Sequence, residues 1–160
     1  MIAGEGTAII RRPAKAIYEF ILDPERYRMA DTKIARVHSV RWSGDQAEIC
    51  YSGRFRGWRT PAVRQVISVQ PYRRIDVRSV PGTFAHLAAA FHGVFTLEEL
   101  ADGTTRVFHR EALDSPIPIK WLVEPLLRRW LEDDTPAEVS RMKALLEAEL
   151  PARSSQPPAV

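Results

Sequence analysis

Residues 4–23 read GEGTAIIRRPAKAIYEFILD. Thr7 to Arg12 has the pattern of a short strand, and it runs straight into Pro13. A proline is tolerated where a helix begins, because the N–H it lacks would be unpaired there anyway. Ile17, Phe20 and Ile21 then recur at helical spacing and give one apolar face. Asp23-Pro24 ends that helix, since the residue before proline avoids the α region. Glu25 to Asp31 reads as a short second helix or turn. At the far end, residues 118–150 form a long amphipathic segment, and about a hundred residues of alternating strand pattern lie between. This order predicts an α+β domain: one curved antiparallel sheet wrapped around one long C-terminal helix. Such a helix cannot fill the whole concave side of a sheet, so a cavity is expected.

The strands are read from alternation and turn signals. Val37–Trp42 and Ala47–Phe55 flank Ser43-Gly44-Asp45. Ile49, Tyr51 and Phe55 share one face, and Glu48, Cys50, Ser52 and Arg54 the other. Val63, Gln65, Ile67 and Val69 alternate with Arg64, Val66, Ser68 and Gln70; Ile75 and Val77 follow after Pro71-Tyr72. Residues 84–90 fit a short helix and a strand start about equally. The last hairpin, Gly93–Leu100 and Thr104–Leu113, turns through Ala101-Asp102-Gly103, with glycine at the position that favours a left-handed backbone. Pairing Leu100 with Thr104 sets Leu97 opposite Val107, Phe95 opposite His109, Gly93 opposite Glu111 and Phe91 opposite Leu113. A slip of one residue would mix the apolar and polar faces, so the pattern selects the register. It also turns His109 and Glu111 inward and His92 outward.

The C-terminal segment carries Leu122, Leu126 and Trp130 on one stripe, continued by Val139, Met142 and Leu146. Pro136 predicts a kink or a restart capped by Thr135. Residues 1–150 are expected to form one domain, followed by a disordered Pro/Ser-rich tail over 151–160.

Composition narrows the function classes. A chain of 160 residues with 45% hydrophobic and 27% charged residues is ordinary for a globular protein. One cysteine, Cys50, excludes an internal disulfide. No signal peptide is visible and no stretch approaches the roughly 18 apolar residues of a membrane span, so a cytoplasmic protein without membrane insertion is expected. The net charge of +3 is local: seven arginines and one acid fall between Arg54 and Arg78. Trp58 in Arg54-Phe-Arg-Gly-Trp-Arg59 could suggest nucleic acid, but no recognition motif accompanies it, and no nucleic-acid partner is expected. A rim arginine meeting a ligand carboxylate is the better idea. Phosphate loops, a nucleophile elbow and a His-Glu-x-x-His run are all lacking.

The order strand, two short helices, six strands and long helix resembles the helix-grip fold of the START-like family, also described as polyketide cyclase/dehydrase and lipid transport. The runs that carry the likeness are Ala8-Ile-Ile-Arg-Arg-Pro-Ala-Lys-Ala-Ile-Tyr-Glu-Phe-Ile-Leu-Asp23, Thr96-Leu-Glu-Glu-Leu-Ala-Asp-Gly-Thr-Thr-Arg-Val107 and Met142-Lys-Ala-Leu-Leu-Glu147. The resemblance covers residues 4–150 and implies seven strands. It implies a small lipophilic ligand such as a lipid, sterol or polyketide, with no cofactor, in a monomer or weak homodimer.

Candidate ligand-binding residues are Tyr51, Phe55, Gln65, Phe91, Phe95, His109, Glu111, Leu122, Leu126 and Trp130. Tyr51 could equally send its hydroxyl to solvent. His109 and Glu111 lie two apart on a strand and share a face; as base and orienting acid they are the catalytic candidates of an alternative, a polyketide-type aromatase/cyclase or dehydratase. A second alternative is a protein-binding regulatory module with a collapsed cavity. No metal is expected: His109 and Glu111 supply two ligands where zinc needs three or four, His86 lies in the ambiguous segment, and His38 is distant although it shares the expected inward face with Val40 and Trp42.

Overall fold

The computed structural model describes residues 1–55, 57–83, 86, 89–115 and 119–149, with the side chains of Phe55, Trp58 and residues 119–123 outside the description. The elements are β1 (Ile2–Ile10), α1 (Ala14–Leu22), α2 (Pro24–Tyr27), β2 (Ile34–Ser43), β3 (Gln46–Phe55), β4 (Trp58–Gln70), β5 (Arg74–Ser79), β6 (Ala90–Glu99), β7 (Thr105–Asp114) and α3 (Ile119–Ala148). The seven strands form one antiparallel sheet in the order β1-β7-β6-β5-β4-β3-β2. This is the helix-grip arrangement, a curved sheet with a long C-terminal helix against its inner side. The expected tail lies outside the described residues.

The last hairpin has the expected register, with Leu97 opposite Val107, Phe95 opposite His109 and Gly93 opposite Glu111. Leu100 N–H donates to the Thr104 carbonyl at 2.8 Å, and Gly103 takes φ +77°. In α1, Ile17, Phe20 and Ile21 are buried. The Asp23 carboxylate accepts from the Glu25 and Arg26 N–H groups, so Asp23-Pro24 both ends α1 and starts α2.

Three expectations are corrected. β1 begins at Ile2 rather than Thr7. Gly4 and Gly6 disguise the strand, but they are there because α3 crosses it closely: a Cβ at Gly4 would lie 2.2 Å from the Leu131 carbonyl oxygen, and one at Gly6 2.8 Å from Pro136 Cα. Second, α3 runs as helix through Pro125 and Pro136, and Thr135 does not cap a restart; its hydroxyl donates to Glu111 Oε2 at 3.2 Å. Tertiary contact with β1 and β7 overrides the break that an isolated proline would impose. Third, His38 and Trp42 are exposed, with His38 Nε2 2.6 Å from Ser52 Oγ, because irregular pairing of β2 with β3 at Ile34/Arg36 and Val37/Ser39 shifts the alternation. Of residues 84–90, 84, 85, 87 and 88 lie outside the described residues, and Ala90 starts β6.

Ile10, Ile17, Phe20, Ile49, Ile75 and Leu97 pack with Val107, Val139, Met142 and Leu146 in one core. This core grips the C-terminal half of α3. Its N-terminal half stands over the remaining concavity of the sheet.

Candidate functional site

A cavity of about 450 Å³ lies between the sheet and α3. Ile49, Ile67, Ile75 and Val77 give it apolar walls from β3, β4 and β5. Phe91 and Phe95 come from β6, and Trp130 and Leu131 from α3. Of the expected site residues, Tyr51, Gln65, Phe91, Phe95, His109, Glu111 and Trp130 line it. The side chains of Phe55 and Leu122 lie outside the described residues. Leu126 is corrected: it is 44% exposed and does not line the cavity. The buried stripe of α3 is Leu131, Thr135, Glu138, Val139, Met142 and Leu146; Leu126, five residues before Leu131, is rotated from it by roughly 140° at 3.6 residues per turn. The cavity is also open, not collapsed as the regulatory alternative supposed.

Polar groups gather at one end. Lys33, from the loop before β2, places its ammonium 3.2 Å from Asp31 Oδ1, 3.1 Å from Glu111 Oε2 and 3.0 Å from Asp134 Oδ2, and touches Glu138 Oε2. Arg141 reaches Asp134 Oδ1 at 3.2 Å. Tyr27 donates its phenol proton to Glu138 Oε1. Burial works against the Lys33 charge, yet the carboxylates of Asp31, Glu111 and Asp134 hold its pKa above the ordinary lysine value. Burial also pushes Glu111 up, but the Lys33 charge and the His109 contact outweigh it and bring Glu111 down to about 2. Glu138 is pushed up to about 8 by burial, with Arg141 pulling the other way. Asp31 is raised by burial, against the pull of Lys33.

His109 is 2% exposed. Its Nδ1 lies 3.0 Å from the Val94 carbonyl oxygen, which can only accept, so Nδ1 carries a proton and Nε2 is turned toward the carboxylates. Phe95 stacks flat on the imidazole, centroids 3.7 Å apart. Nε2 lies 3.7 Å from Glu111 Oε1 and 3.3 Å from Glu138 Oε1, but makes no hydrogen bond among the described residues. Tyr51 turns its phenol to the cavity wall, with Gln65 as partner and its pKa raised first by burial and then by Asp31 and Glu111. It is half-buried because it meets the cavity.

Sequence reading missed Lys33, Asp31, Asp134, Glu138 and Tyr27. One signal for Glu138 was present: counted back from Met142, the helical stripe 142-138-135-131 passes through it, an acid on an apolar face. Nothing local marks Lys33.

The polyketide cyclase / dehydrase and lipid transport family matches this chain over residues 1–147. Among solved structures, the chain is similar to the Zhui aromatase/cyclase from Streptomyces sp. R1128 at TM-score 0.69 and 13% identity, covering 95% of this chain and 97% of that one. It is similar to TTHA0849 from Thermus thermophilus at TM-score 0.68 and 15% identity, over 91% and 97%. It is also similar to norcoclaurine synthase from Thalictrum flavum at TM-score 0.61 and 10% identity, over 91% and 94%. At these identities the structures speak for the fold alone. No curated protein matches. Among the described residues, no helix is long and apolar enough to cross a membrane.

Proposed function

Because the chain belongs to the polyketide cyclase / dehydrase and lipid transport family, we propose that it binds one small, largely apolar ligand of polyketide or lipid character between the sheet and α3. The observation that carries this is the cavity itself: about 450 Å³, walled largely by apolar side chains, with Asp31, Lys33, Tyr51, Gln65, His109 and Glu111 among its lining. A few convergent polar groups in an apolar pocket orient a ligand, while the walls supply affinity at roughly 25 cal/mol per Å² buried. Tyr51 and Gln65 offer hydrogen bonds to a ligand oxygen, and Arg54 and Arg64 on the cavity lining offer charge to a carboxylate. The test is native mass spectrometry of the purified protein beside organic-solvent extraction, followed by thermal-shift measurements with planar polyketides and fatty acids. Val77→Trp, on the wall from β5, should fill the space and remove ligand-induced stabilisation. Stabilisation that survives this change, or none from any apolar compound in the wild type, overturns the proposal.

His109 favours a second reading. A buried imidazole at the cavity wall is placed where a base for proton abstraction from a bound polyketide would stand, and aromatase/cyclase activity is named for one of the similar structures. Here His109→Ala should abolish turnover while changing ligand affinity little. Equal turnover in that variant would sink it.

A further inference from the structure

The polar cluster beside the cavity gathers more acidic than basic side chains. Asp31, Glu111, Asp134 and Glu138 converge on Lys33, and Arg141 joins at Asp134: four acids against two bases. Lys33 takes the Oε2 atoms of both Glu111 and Glu138, and Thr135 also donates to Glu111 Oε2. The two Oε1 atoms face His109 Nε2, the one on Glu138 also accepting from the Tyr27 phenol. That nitrogen is fully buried, is without a hydrogen bond among the described residues, and is held in this direction by the Nδ1 contact with Val94.

We propose that His109 Nε2, Glu111 Oε1 and Glu138 Oε1 together bind a divalent first-row transition-metal ion. The three ligand atoms lie within 4.8 Å of one another. The separations of 3.3 and 3.7 Å from Nε2 bracket the edge of roughly 3.4 Å that a tetrahedral ion makes with ligands at about 2.0–2.2 Å. One imidazole and two carboxylates suit zinc, cobalt, iron or manganese better than calcium or magnesium, which take oxygen-only sets.

The surrounding contacts are those that orient metal ligands. Val94 orients the histidine ring, Lys33 and Thr135 hold the far oxygen of Glu111, and Tyr27 holds Glu138. Lys33 does not compete, since it occupies the opposite oxygens. His109 and Glu111 line the cavity, so the open coordination position faces it and takes an oxygen donor: an enolate, a phenolate, a carboxylate or water. Within the strand, His109 and Glu111 fall one ligand short; α3 supplies the third. The site stands whether or not the lipophilic-ligand proposal does.

The test uses the full chain stripped with EDTA. Titration with Co²⁺ should saturate at one ion per chain with visible ligand-field bands, and Zn²⁺ should displace it and raise the melting temperature. His109→Gln and Glu138→Gln should each weaken Co²⁺ binding by at least about tenfold, while His38→Ala, at the exposed imidazole on β2, should leave it unchanged. Should either site variant fail to fold, X-ray absorption of the Co²⁺-loaded wild type decides: one imidazole nitrogen with oxygen neighbours is expected. No saturable binding, binding unchanged in a folded His109→Gln, or a spectrum without an imidazole overturns the proposal.

Discussion

Lys33 Nζ and Glu138 Oε2 meet inside the molecule, one from the loop before β2 and the other from the middle of α3, 105 residues apart in the chain. This contact ties the N-terminal third of the protein to its last helix. It also places a lysine at the meeting point of four carboxylates.

Removing that lysine should destabilise the fold strongly. Lys33→Met leaves buried carboxylates without their main counter-charge, and loss of about 3–5 kcal/mol of unfolding free energy is expected from urea titration. Glu138→Gln in the same chain should bring the total loss to less than the sum of the two single changes, because both remove the same Lys33–Glu138 contact. Additive effects in the double variant would show that the two side chains do not interact.

The buried face of α3 can be tested by a pair of truncations. Leu131 is 1% exposed and Leu126 44%. Leu131→Ala should cost about 2–5 kcal/mol, and Leu126→Ala no more than about 0.5. Comparable losses at both sites would mean that the helix is rotated from the orientation described.

The sequence carried the last hairpin clearly, since both of its strands bury one face and only one register keeps Leu97, Val107 and Phe95 together. It carried α1 for the same reason, through Ile17, Phe20 and Ile21. It did not carry the polar cluster, whose members come from a loop, a strand and a helix that only tertiary packing brings together. Leu126 was misplaced because extending a stripe by four residues per step drifts around a helix of 3.6 residues per turn. Gly4 and Gly6 read as weak strand positions; their reason is the helix lying across them, which no local pattern records.

Gly4→Ala is therefore predicted to be harmful despite the mildness of the change. The added methyl would lie 2.2 Å from the backbone oxygen of Leu131, and backbone cannot swing aside as a side chain can. A loss of at least about 2 kcal/mol is expected, read by thermal and urea unfolding. Wild-type stability in this variant would mean that β1 and α3 are farther apart.

The two glutamates predict opposite pH effects in metal-free protein. Glu138, raised by burial to about 8, lies above its unfolded value. Its contribution to stability is complete below that unfolded value and is lost as pH rises through about 8. Glu111, subject to burial but held down to about 2 by Lys33, contributes above its unfolded value and loses that contribution as pH falls through about 2. Glu138→Gln should flatten the decline of the urea midpoint between about pH 4.5 and pH 8 and leave the limb below it intact. Parallel declines over that range in variant and wild type would remove Glu138 as their cause.

The close crossing of β1 by α3 also sets an order of events during synthesis. β1 pairs with β7, the last strand to be made, and its glycines meet a helix that comes later still. β1 thus leaves the ribosome well before its partners, and the emerging chain carries an unpaired strand until β7 and α3 have been translated. Such reliance on contacts between distant parts of the chain makes for slow folding. A nascent chain stalled before α3 would leave the ends of the sheet's β1–β7 pair without their cover, which is the condition in which chaperone contact matters most.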